Sequence, residues 1–262
     1  MDNFTRLGRI FFGICLAGLG IQQFQYGEFR PVIVPDWPAW LHNSSVAAYI
    51  FGAFLVVAGF IIALSSKARN TAVATGLVLF IFFLCFHVVN QLFIIPYQFH
   101  LGLWTDPLKE LALAGGCFVM AASFAPSSKD GLPYAGKLAP VGRIFFGLML
   151  ALFGIDHFLY PEFVAALVPS WIPGKLFWTY FGALALIGGG LAMILKFKLR
   201  QTALLLAIML FIWFIILHIP RAIADPAGSK GNEITSVFEA LGFSGISLVI
   251  AAMATHIPRK KS

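Results

Sequence analysis

GRIFFGICLAGLGIQQFQYGEFRPVIVPDW, residues 8–37, is answered by GRIFFGLMLALFGIDHFLYPEFVAALVPSW, residues 142–171, with 17 of 30 ungapped positions identical. Each copy opens on an apolar run of the roughly 20 residues that a helix needs to cross a bilayer. The first copy, with Arg6 and Arg9 ahead of it, could pass for a secretory signal. A second copy at an internal position marks it instead as a retained helix, and no small-x-small cleavage site follows the first. The correspondence continues less strictly through Tyr49/Tyr180, Gly52/Gly182, Gly59/Gly189, Arg69/Arg200, Thr71/Thr202, His87/His218, Glu110/Glu239 and Gly116/Gly245.

Composition points the same way. Of 262 residues, 60% are hydrophobic and 11% charged, and 28 are Phe, against roughly 45–50% and 25% in an ordinary soluble domain. A mean hydropathy of +0.88 exceeds what one soluble core can absorb, so lipid is the expected solvent of much of the surface. The net charge of +7 comes from short Lys/Arg clusters between apolar runs, with no continuous basic stripe, which excludes a nucleic-acid reading. Cys15, Cys85 and Cys117 lie inside apolar runs without metal-ligand spacing, so neither a disulfide framework nor a structural metal site is expected.

Eight apolar runs, near 8–26, 46–65, 71–95, 108–125, 142–160, 177–195, 201–219 and 236–255, predict an all-α integral membrane protein of eight transmembrane helices. Four helices per copy is an even number, so both copies enter the membrane from one side. The expected architecture is two tandem four-helix bundles, 1–125 and 142–262, joined by a linker over 126–141 and related by a pseudo-twofold axis along the membrane normal. With the N-terminus inside, 13 of the 18 Lys and Arg fall on the cytoplasmic side, leaving Arg30, Lys109, Lys175, Arg221 and Lys230 outside. This asymmetry predicts cytoplasmic termini. Trp37, Trp40, Trp104, Trp171 and Trp178 mark the outer boundary as an aromatic belt.

The GRIFFG start, the GIQQF/GIDHF end of the first helix, the VPxW loop and the Gly-rich second helix resemble the DoxX-like membrane protein family, twice over nearly the whole chain. Its members are usually single four-helix units, so the tandem form is a departure. The resemblance implies the four-helix fold, an inner-membrane location and, for some relatives, a subunit of a thiosulfate:quinone oxidoreductase or an accessory of periplasmic redox enzymes. A quinone cofactor and a periplasmic redox partner are what it implies for this chain.

Read from the residues alone, ionisable groups inside spans are costly and face an interior or a cavity. Here they collect near the predicted outer helix ends. In the second unit these are Asp156 and His157, then His218 and Arg221 at i, i+3 on one helix face, then Glu239. The first unit keeps His87 and Glu110 but has Gln22, Gln23 and Asn90 where the second has Asp156, His157 and Arg221. One reading is a polar pocket for a quinone head group or small anion. His218 and His157 exchange protons there and Glu239 supplies counter-charge, since imidazole both donates and accepts near neutrality. Asp156, Arg221, His87 and Glu110 are the associated binding residues. The bland reading is that Glu239 and Arg221 or His218 simply satisfy one another. Heme held by His87 and His218 is a weaker alternative. Arg9 and Arg143 contact lipid phosphate, cap neighbouring carbonyls or snorkel. A small-solute permease and a ligand-free scaffold are the rival functions. The apolar inner halves of the helices speak against a hydrophilic path, and no Walker loop, GxSxG or HExxH is present.

Overall fold

The structure, a computed structural model, describes residues 3–95, 100–124 and 135–254. Helices alone form the framework, with no strand among the described residues. The long ones are α1 (Asn3–Tyr26), α2 (Ser45–Leu64), α3 (Arg69–Ile94), α4 (Thr105–Ser123), α5 (Ala135–Leu159), α6 (Lys175–Leu195), α7 (Leu199–Ala224) and α8 (Asn232–Met253). Seven of them are long and apolar enough to cross a membrane. Large apolar side chains such as Leu64, Phe93 and Leu195 point outward, which only lipid tolerates in such number. The chain is a multi-pass α-helical membrane protein.

The eighth long helix, α4, carries Asp106, Lys109 and Glu110 in its first two turns, and every residue from Pro107 to Ala121 is buried. It is the interior of the molecule, together with α8, which is buried continuously from Glu239 to Ala252. Around this pair the other helices pack by repeat. α1 lies against α2 and α8, and α5 lies against α6 and α4, whereas α1 and α4 of the same half barely touch. The fourth helix of each half therefore leans on the first helix of the other.

Small residues make these crossings close. A Cβ on Gly8 would stand 2.6 Å from the Gly245 carbonyl oxygen, and one on Gly115 would stand 2.6 Å from that of Gly142. Gly8 corresponds to Gly142, and Gly115 is one place from Gly116, the counterpart of Gly245. The two crossings are thus near copies of one another.

Several boundaries differ from expectation. Residues 126–134 of the expected linker lie outside the described residues, and α5 is already helical at Ala135, with Pro140 inside it. α7 runs on to Ala224 rather than ending near 219. It widens into a π-helical turn over Phe214–His218 just before Pro220, whose ring and missing N–H disrupt ordinary α-helical bonding. α3 widens similarly over Phe83–Val88 and Asn90–Ile94, with Val89 at the place of Pro220, so proline is not the cause there. His87 and His218 both sit in the widened turns.

Candidate functional site

Glycines fix how the halves correspond. A Cβ on Gly20 of α1 would meet the Gly52 carbonyl at 2.5 Å, and one on Gly154 of α5 would meet that of Ala183 at 2.6 Å. Likewise α1 meets α2 at Gly13 and Gly59, and α5 meets α6 at Gly147 and Gly190. The structural partners are therefore Gly52/Ala183 and Gly59/Gly190. This shifts by one residue the pairing expected from the sequence, Gly52/Gly182 and Gly59/Gly189, and keeps Tyr49/Tyr180.

The shift has a chemical result. In this register Phe51, Phe54, Val57 and Ala58 of α2 become Gly182, Ala185, Gly188 and Gly189 of α6. In the first half Phe51, 8% exposed, stacks on Phe82 with ring centroids 4.7 Å apart and packs on Phe54 at 5.6 Å. In the second half a Cβ on Gly182 would find Trp213, the counterpart of Phe82, at 3.2 Å, and one on Gly188 would find nothing within 4 Å. Removing two phenyl rings from a close-packed position leaves space that the backbone does not collapse to fill. There the second half holds a cavity of about 1750 Å³, bounded by α5 to α8 and the start of α4.

The end of this cavity at the α4 start is polar. Asp106, Lys109, Asp156, His157, His218, Arg221, Glu233 and Glu239 all line it. Lys109 is its hub, with Nζ donating to Asp106 Oδ1 at 3.2 Å and pairing with Glu239 Oε2 at 3.0 Å. Arg221 pairs with Glu233. The expectation that Glu239 is matched by Arg221 or His218 is thus corrected, because a cation from the other half reaches it first. His157 Nδ1 donates to the Phe153 carbonyl at 2.7 Å, which leaves Nε2 as an acceptor. Glu239 Oε1, Asp156 Oδ1 and His218 Nδ1 are buried without a hydrogen-bond partner. Such groups cost about 1–3 kcal/mol each when unsatisfied, more for an ion. The arrangement can offer acceptors to an incoming polar group.

His87 and Glu110, also expected at the site, do not line the cavity. His87 Nε2 lies 3.3 Å from the Val32 carbonyl and 3.4 Å from Glu110 Oε2. Two acceptors near one nitrogen assign its proton to Nε2. Glu110 is wholly buried, as are Gln23 and Arg30. Arg30 Nη2 donates to the Lys230 carbonyl at 2.6 Å and its guanidinium lies 4.5 Å from the Tyr26 ring centre. Burial draws its pKa below the ordinary value, against an opposing pull from Tyr26 and Glu28. The first half therefore holds a packed polar cluster where the second holds a cavity. His87 and His218 stand in different halves, and of the two only His218 lines the cavity.

Asp106 and Lys109 are not among the site residues expected from the sequence, where Lys109 figures only as one of the basic residues of the outer side. The available signal was the adjacency of Lys109 to Glu110 in an apolar run, which puts opposite charges on two faces of one buried helix. For Arg9 and Arg143 the capping alternative describes the contacts. Arg9 Nε donates to Ser123 Oγ at 3.0 Å and its guanidinium covers Phe124 at 3.6 Å, while Arg143 Nη1 donates to the Ile194 carbonyl at 3.1 Å.

A family model described as a domain of unknown function (DUF8561) matches residues 146–256, which include most of α5 and the whole of α6 to α8. No curated protein and no solved structure matches the chain.

Proposed function

We propose that the protein binds the head group of a membrane-dissolved quinone at the polar end of the second-half cavity and serves as a membrane subunit or accessory of a quinone-linked redox system. The observation that carries this reading is one cavity with unpartnered Glu239, Asp156 and His218 atoms at its polar end and an apolar continuation. A quinone fits these residues. Its ring oxygens, as hydroxyls in the reduced form, give Glu239 Oε1 and Asp156 Oδ1 the donors they lack, and His218 and His157 are the groups able to pass protons. When bound, the quinone supplies the two-electron, two-proton chemistry, and the protein supplies position and charge.

The setting belongs to the same proposal. It comprises eight spans in two tandem four-helix units with a pseudo-twofold axis along the membrane normal, cytoplasmic termini in the inner membrane, and the cavity's polar end toward the periplasm and a redox partner there. Supporting it are the α1–α8 and α5–α4 crossings, the distribution of Lys and Arg, and the likeness to the DoxX-like family. A permease is less well supported, since Leu184, Leu205, Met209 and Ile212 line the cavity away from its polar end and offer a polar solute nothing. The test is purification in mild detergent, solvent extraction and identification of co-purified quinone by mass spectrometry. Quinone at near-stoichiometric amount is expected, reduced at least tenfold by His218→Ala and little changed by His87→Ala. Equal retention by both variants, with folding intact, would remove the residue-level basis of the reading.

A further inference from the structure

The cavity is larger than a head group requires. Pockets for drug-sized molecules are about 300–1,000 Å³, and this one is about 1750 Å³. Along α6 its lining runs from Trp178 to Ala192, about 21 Å at 1.5 Å per residue, or some two thirds of a hydrocarbon core about 30 Å thick. Beyond the polar end its walls are apolar, formed by Ala185, Gly188 and Gly189 on one side and Leu205, Leu206 and Met209 on the other. Leu184 of α6 and Leu205, Ile208 and Ile212 of α7 are exposed although they line it, so the space opens sideways between these helices into lipid.

We infer that the α6–α7 cleft is a binding track for the long hydrocarbon chain of a bilayer-dissolved amphiphile, which enters sideways between the helices and carries hydrogen-bond donors on its head. This rests on the head-group reading above and adds the chain, the route and the donor character. The donor character follows from the polar end, where Glu239, 2% exposed, and Asp156 both line the cavity and each keeps one buried carboxylate oxygen without a hydrogen-bond partner. Carboxylate oxygens accept, so the head must donate. The track itself follows from the α6 substitutions. The first half fills the equivalent space with Phe51 and Phe54, which pack on one another, with the exposed Val57 beside them on the lipid-facing side, whereas the second half has Gly182, Ala185 and Gly188 at these places.

The test restores two of those residues. Full-length protein and the double variant Ala185→Phe/Gly188→Val are placed in phosphatidylcholine nanodiscs. They are titrated with a chainless dimethoxy-methyl hydroquinone and with its dodecyl derivative, with affinities expressed per mole fraction in the membrane so that partitioning cancels. Wild type should bind the dodecyl probe at least tenfold more tightly than the chainless one. The variant should bind the chainless probe as wild type does and lose that increment. Circular dichroism and thermal melting confirm that the variant is folded, and Gly188→Val alone, at a position with open space, serves as the milder second variant. Equal binding of both probes by wild type, or an increment that survives both variants, overturns the track while leaving head-group binding intact. Binding of neither probe overturns both readings. Tighter binding of the oxidised dodecyl quinone than of the hydroquinone overturns the donor assignment.

Discussion

Lys109 is the side chain on which the polar end depends. It lies between Asp106 Oδ1 at 3.2 Å and Glu239 Oε2 at 3.0 Å, and all three line the cavity. Removing one member of a buried ion pair leaves the other uncompensated, at a cost of about 3–5 kcal/mol, whereas removing both costs much less. Lys109→Met should therefore lower the thermal midpoint of the purified protein markedly, and adding Glu239→Gln should recover more than half of the loss. If the single replacement is harmless, Lys109 is not the counter-charge of Glu239. His218 and Glu239 were legible in the sequence because both recur between the halves. Lys109 was not, because its partner lies 130 positions away and its own counterpart, Phe238, is uncharged. Repetition reveals what two copies share and hides what one supplies to the other.

At the scale of helices, three consecutive glycines in α6 do three different things. Gly190 lies against α5, where a Cβ would meet the Gly147 carbonyl at 2.5 Å, Gly189 lies against Leu206 at 2.6 Å, and Gly188 faces open space. Ala in place of Gly inside a helix adds about 0.5–1 kcal/mol where nothing obstructs it. Overpacking costs about 1–3 kcal/mol. Adjacent substitutions should thus have opposite signs, with Gly188→Ala raising the melting temperature and Gly190→Ala lowering it. Matching shifts would refute the helix register and, with it, the derivation of the cavity from α6. Seven of the eight expected apolar segments coincide with helices long and apolar enough to cross a membrane, because hydropathy depends on composition over some 20 residues. The one-residue register of α6 against α2 was not readable, because a Gly run bears no side-chain pattern to align. The widened turns at His87 and His218 likewise had no reading, since α3 forms one without a proline.

For the molecule as a whole, the exchange of fourth helices predicts that neither half stands alone. Residues 142–262 lack α4, one of the two helices against which α5 packs, and with it Lys109. Expressed separately they should be degraded, and co-expression with residues 1–125 should restore both halves as a co-purifying pair. Accumulation of the isolated second half would show that α4 is dispensable to it. The proposed orientation makes a further prediction, that alkaline phosphatase inserted between the halves is inactive because the junction is cytoplasmic. High activity there would reverse the topology. The pairing of Gly8 with Gly245 also bears on synthesis. At roughly 5–20 residues per second, α1 leaves the ribosome on the order of 10–50 s before its partner α8 exists. During that interval its glycine-lined face, later covered by Gly245 and Phe238, has only lipid or the insertion machinery to cover it. A ribosome that stalls before α8 thus leaves the first-made helix unfinished, and such a chain is a natural substrate for membrane quality control.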